Sequence, residues 1–201
     1  MKTREHYFAT YLESLAQDRA ALAALRRGLG QPPGTMPDMF RYVVPVLPKD
    51  AFPGSWTERS YYLLAALYAS HPAVDASHPT AAAEGNLGNH FAVHLDMQNP
   101  ERNDAIERRF IALLTAHPDD LHIYLRQAIS FLRSKETPVN WHQLMWDVLQ
   151  LGYPDSATAV RKRWADAFWR RSAPAAGGEI EAAKPDQPGA NGADADDFDV
   201  D

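Results

Sequence analysis

The chain has 201 residues, 45% of them hydrophobic, with 20 Lys or Arg against 26 Asp or Glu and a formal net charge of −6. Cysteine is absent, which excludes a disulfide framework and thiol chemistry, and the longest apolar run, "YYLLAALYA" (61–69), is far short of the roughly 20 residues a membrane helix needs. The acid is unevenly spread: residues 172–201 hold eight acidic residues and one Lys, a local charge of −7, which leaves residues 1–171 at +1.

The N-terminus, "MKTREHYFAT", has no apolar stretch of signal-peptide length, so the expected location is the cytoplasm. Helical spacing follows almost throughout. Tyr7, Tyr11 and Leu15 form a first stripe, and Leu22, Leu25 and Leu29 a second. "LGQPPGTMP" (29–37) breaks the chain before a short helix, "DMFRYVVPVL". Ser55 and Glu58 have capping-box spacing ahead of a helix that carries Tyr61, Leu64, Ala65 and Tyr68. Residues 71–84 read as a surface loop, and Asn86 as the N-cap of a helix in "NLGNHFAVHL". In that helix, Gly88 permits close approach of a neighbouring helix or of a nucleic-acid strand.

Ile106, Phe110, Leu113 and Leu114 stripe the next helix, and Leu121, Leu125, Ala128 and Leu132 the one after, with Pro118 enforcing the break between them. Asn140 and Gln143 resemble a cap, flanked by Val139 and Leu144 as a hydrophobic staple. The last helix, 156–171, stripes Val160, Trp164, Ala167 and Phe168. Beyond Ser172 the composition turns to Ala, Gly, Pro and Asp, too poor in apolar residues to offset ordering entropy, and predicts a disordered acidic tail. The expected fold is all-α: a compact bundle of about eight or nine helices in two lobes, roughly 1–98 and 99–171.

No catalytic constellation emerges. His90 and His94 stand four apart on the expected helix with Asp96 nearby, a spacing that can chelate a transition metal in a metal-dependent helical enzyme. The glutamate of an HExxH pattern is missing, however, and spacing supplies no third ligand. There is no Walker phosphate loop, and "GNLG" lacks the dinucleotide fingerprint. No cofactor is expected.

The cations cluster instead. Arg26 and Arg27 end the second helix; Arg108 and Arg109 follow the start of "AIERRF"; Arg126 and Arg133 lie seven apart, on nearly one face, with Lys135 after them; Arg161, Lys162 and Arg163 adjoin, ahead of Arg170 and Arg171. Arg27, Arg108 and Arg163 suit ordinary ion pairs, and the cations at helix C-termini complement the macrodipole. Taken together, the clusters favour phosphate, because a guanidinium is planar, permanently charged and bidentate. Tyr42, Trp141, Trp146 and Trp169 offer base stacking, although Trp at helical spacing is usually core. Contact with acidic protein surfaces is the third alternative.

In order and spacing, "ALAALRRGLG" (21–30), "MFRYVVPVLP" (39–48), "ERSYYLLAALYASHP" (58–72), "GNLGNHF" (85–91), the stretch from "IERRFIALL" through "NWHQLMWDVLQ" (106–150) and "VRKRWADAFW" (160–169) resemble the CasB family. This family is the small subunit of the type I-E CRISPR surveillance complex Cascade. The resemblance implies a non-catalytic, all-helical subunit that packs as a pair with the other Cascade subunits, beside the guide RNA and its target. It implies help in holding the target DNA and the displaced strand, with cleavage left to a separate helicase-nuclease. Sequence is then read by guide pairing, so the protein needs backbone affinity rather than base readout. Arg26, Arg27, Arg108 and Arg109 match paired cations of the family, and Arg126, Arg133, Lys135 and Arg161 to Arg163 fall where it is often basic. The acidic tail and the loop at 73–84 have no counterpart in it.

Overall fold

Residues 56–70, "WTERSYYLLAALYAS", are apolar around most of the helix circumference, and such a helix has to be covered on several sides. In the computed structural model, which describes residues 4–72 and 84–172, this segment is α4 (Trp56–Ser70). It packs against α1 (Tyr7–Ser14), α2 (Arg19–Arg26), α3 (Pro37–Val43), α7 (Leu121–Ser134) and α8 (Trp141–Leu151). A second focus is α9 (Pro154–Ser172), which runs along α5 (Leu87–Ala92) and α8, while α6 (Asp104–Thr115) packs on α7. One buried cluster joins all nine α-helices of the described residues, from Phe8 and Leu25 through Tyr61 and Leu67 to Phe110, Leu132, Val148 and Trp164. Among the described residues there is no strand. The expected loop over 73–83 and the tail from 173 onward lie outside the described residues.

The helix starts are set by local chemistry. The Asp18 carboxylate accepts from the amides of Ala20 and Ala21, which ends the first stripe and restarts the chain as α2. The Ser55 hydroxyl accepts from Glu58 N–H as its spacing predicts, but the Glu58 carboxylate turns back one residue further, to Gly54 N–H. Asn86 forms a reciprocal box with Asn89, and Asn140 caps α8 by accepting from Gln143 N–H. Gln143 itself turns away from the cap to Asp147.

Two expectations need correction. The buried face of α1 is Phe8, Ala9 and Leu12, one position round from the Tyr7 stripe, and Tyr7 is 54% exposed. The tyrosines lie at the rim because their hydroxyls need partners: Tyr7 donates to Val46 C=O and Tyr11 to Tyr42 C=O. Helix α5 is shorter than predicted. It stops at Ala92, and tight-turn hydrogen bonds carry the chain through His94 and Leu95. Gly88 serves helix packing: a Cβ there would collide with the Trp164 carbonyl of α9.

Candidate nucleic-acid interface

Helix α7 divides by period. Leu121, Leu125, Ala128, Ile129 and Leu132 are buried, which turns Arg126, Gln127, Ser130 and Ser134 outward on the opposite face. That face borders an open groove of about 770 Å³. Arg109 of α6 closes one side, its guanidinium 4.9 Å over the Phe131 ring, and Gly30 of the loop after α2 closes the other. Gly30 has φ +79°, and a Cβ there would lie 2.5 Å from Arg126 Nη1. The glycine therefore lets the guanidinium lie against the loop backbone. Ile123, His122 and Phe131 complete the lining, which contains no carboxylate. Among the described residues neither Arg109 nor Arg126 has an acidic partner within ion-pair distance. Two permanently charged forks thus share one groove without neutralisation.

The other predicted cations are scattered, and several are spent on the fold. Arg26 Nε donates to Ala69 C=O at the end of α4, at 2.7 Å. Arg27 pairs with Asp38 at 2.6 Å on the surface, which raises its already high pKa. Arg108 pairs loosely with Asp104 at 3.9 Å and is not part of the groove lining. Arg161 donates to Ala116 C=O at 2.8 Å, tying α9 to the end of α6. Arg163 reaches Asp147 at 3.1 Å and Gln150 at 3.3 Å. Arg133, Lys135 and Lys162 are exposed, and Arg133 lies two turns beyond Arg126 at nearly the same angle. The structure therefore brings Arg109 and Arg126 together and keeps the 161–163 run apart from them, on α9.

Of the aromatic candidates, Trp141 is buried against Tyr68. Trp146 is covered by Arg4 at 4.0 Å and donates to its carbonyl, and Tyr42 packs against the core. Trp169 is 37% exposed and sits edge-on to Phe110. The histidine pair does not share a helix face: His94, beyond the end of α5, bonds the Thr137 hydroxyl at 2.6 Å, and His71 bonds the Thr137 carbonyl at 2.8 Å. His90 is buried, and burial lowers its pKa to about 4. Among the described residues, no three of His, Cys, Asp and Glu gather closely enough to hold a metal ion.

Sequence reasoning missed Gln127, Ser130 and Ser134. The signal for them is the complement of the α7 stripe that it did find. It also missed Asp147, fully buried between α8 and α9, which accepts from Trp164 Nε1–H at 2.6 Å, Gln143 Nε2–H at 2.9 Å and Arg163. A lone acid inside "LMWDVL" was its mark.

The model of the family described as CRISPR-associated protein Cse2 matches residues 21–169, a span that takes in the groove, its Gly30 loop and most of α9. The chain belongs to the Cse2 family. A CRISPR-associated protein Cse2 of Thermus thermophilus is 33% identical over 153 residues, 75% of this chain and 79% of that protein. The crystal structure of CasB from Thermus thermophilus superposes with a TM-score of 0.66 at 29% identity, covering 82% of this chain and 96% of the other. A chain of a CRISPR RNA-guided surveillance complex superposes with a TM-score of 0.66 at 25% identity, covering 83% and 91%. The family expected from the order of sequence landmarks is thus the one found. Among the described residues, no helix is long and apolar enough to cross a membrane.

Proposed function

We propose that this Cse2-family chain is a non-catalytic small subunit of the type I-E surveillance complex Cascade. In this reading it works in the cytoplasm, beside a second copy of itself and the other subunits. It holds nucleic-acid backbone from the guide RNA, the target strand and the displaced DNA strand, and so supports assembly and keeps the opened target from reclosing. The observation that carries the reading is the pair Arg109 and Arg126 across an open groove whose lining has no carboxylate. Two such forks, flanked by the amide and hydroxyls of Gln127, Ser130 and Ser134, suit phosphate and sugar oxygens and offer no donor pattern specific to one base. The likeness to a chain of an RNA-guided surveillance complex supports the setting.

In the same proposal, exposed Arg108, Arg133, Lys135 and Lys162 add long-range attraction. Arg26, Arg27, Arg161 and Arg163 divide their donors between solvent and the intramolecular partners described above. The test is binding of a labelled single-stranded oligonucleotide at several salt concentrations. Affinity is expected to fall linearly on logarithmic axes as counterions are released, with little dependence on base sequence. Arg109→Glu with Arg126→Glu should lower affinity at least tenfold and shorten the lifetime of the opened target in reconstituted Cascade. Binding that ignores both salt and the double reversal would refute the groove as the interface.

A further inference from the structure

The groove and the C-terminal sequence are chemically complementary. Trp169 sets its ring 5.9 Å from that of Phe110, and the residue before Phe110 is Arg109, one wall of the groove. Phe110 itself is buried, and the chain leaves the described fold at residue 172, three residues beyond Trp169. Another 29 residues follow, ending in "DADDFDVD" (194–201), which holds five Asp, one Phe and one Val. In an extended backbone Asp197, Asp199 and Asp201 would share one face, about 6.7 Å apart, and Phe198 and Val200 the other. The groove is complementary: Arg109 and Arg126 supply unneutralised charge, Phe131 and Ile123 supply apolar surface, and no lining carboxylate repels an acid. Some 22 residues separate Ser172 from Asp194, and a chain of that length can reach at most about 70 Å, enough to return to any face of a body this size.

We propose that residues 194–201 dock in this groove when no nucleic acid is bound, with their carboxylates on Arg109 and Arg126 and with Phe198 against Phe131. The segment then acts as a built-in competitor that a nucleic-acid strand displaces. Tethering gives it an effective concentration of about millimolar, so even a contact that is weak between separate molecules is well populated. Weak, short strands are excluded, whereas a strand held in place by guide pairing wins. The inference rests on the reading of the groove as a backbone site.

The chain has no cysteine, so Val200→Cys accepts a single nitroxide label in the full-length protein. At low salt the label is expected to broaden the amide resonances of Gln127, Ser130 and Ser134. Salt at about 0.5 M, or excess single-stranded oligonucleotide, should restore them. Changing the five terminal Asp to Asn, which leaves the folded helices untouched, should abolish the broadening and raise oligonucleotide affinity about tenfold at low salt. Removing residues 173–201 should raise it by at least as much. A label that broadens no groove resonance overturns the proposal, even if truncation tightens binding, because that gain would then be long-range repulsion. Broadened groove resonances in a protein that binds no strand, truncated or not, would keep the docking and sink the nucleic-acid reading. A truncated protein that binds strands, with an unbroadened groove, would do the reverse.

Discussion

Asp147 is fully buried and accepts from three side chains. Burial pushes its pKa up, while hydrogen bonds from Trp164, Gln143 and Arg163 pull it down. Removing it leaves an indole N–H buried and a guanidinium without its charge partner, so Asp147→Ala should cost about 2–4 kcal/mol in urea unfolding. A loss below 1 kcal/mol would mean that water replaces the network. Histidines set a second residue-scale expectation. Burial lowers His6 and His90 to about 4 from an ordinary value of 6.5, so the folded chain keeps both neutral. Their contribution is complete above pH 6.5 and is lost as pH falls toward 4, because the unfolded chain takes up protons that the folded chain refuses. His142 has the opposite sign. Its hydrogen bond to Glu13 raises its pKa, and the stability it adds is present below 6.5 and fades as pH rises through the folded value. With two groups against one, the melting temperature should drop between pH 6.5 and 4.5. His90→Leu should flatten that drop, and an unchanged slope would remove His90 from the account.

At the scale of elements, the broadest helix contact is the one between α5 and α9, and it depends on Gly88. Gly88→Ala forces the helices apart against backbone that cannot yield, so a loss of about 1–3 kcal/mol or more is expected despite better helix propensity. Thermal melting with unchanged far-ultraviolet signal would check it. Helix α7 ends less comfortably. Glu136 follows it at φ +53°, and Thr137 N–H closes the end on Leu132 C=O, a position that glycine normally fills. Glu136→Gly should stabilise by about 0.5–1 kcal/mol, and destabilisation would show that the Glu136 side chain matters more than its backbone. Most elements were legible because caps and stripes sit within one helix: Asn86, Asn140 and the Leu121 stripe all fell where expected. The face of α1 was not, because Tyr7 and Phe8 look equally apolar in sequence. Only the partner decides, and Phe8 packs its ring 4.4 Å from that of Tyr61 while Tyr7 reaches out to Val46.

On the scale of the molecule, charge is the quantity to follow. The body is nearly neutral, yet Arg109 and Arg126 face a groove without acids while Arg161 and Arg163 each give a donor to an intramolecular partner. The two pairs should therefore respond differently to the same reversal. Arg109→Glu with Arg126→Glu should shift melting by no more than a few degrees while lowering low-salt strand affinity at least tenfold. Arg163→Glu should lower the melting temperature by about 5 °C or more, because it sets a second negative charge beside buried Asp147. Equal effects on melting would erase the distinction. This division was not legible in the sequence. An arginine run states where positive charge is available, and long-range packing states what it is spent on: Ala116 lies 45 residues from Arg161. Arg126 was found because its helix face is regular, whereas its neighbour across the groove, Arg109, looked no different from Arg108.

The seam between α5 and α9 also imposes an order in time. Gly88 meets Trp164 across 76 residues of chain, and a ribosome delivers α9 last. Until then Leu87 and Phe91 have no cover on the side that α9 will occupy, and Asp147 waits for both Trp164 and Arg163. A nascent chain stalled near residue 150 should therefore bind chaperones and be cut quickly by proteases at its α5 segment. One stalled far enough beyond α9 for that helix to have left the exit tunnel should already resist them.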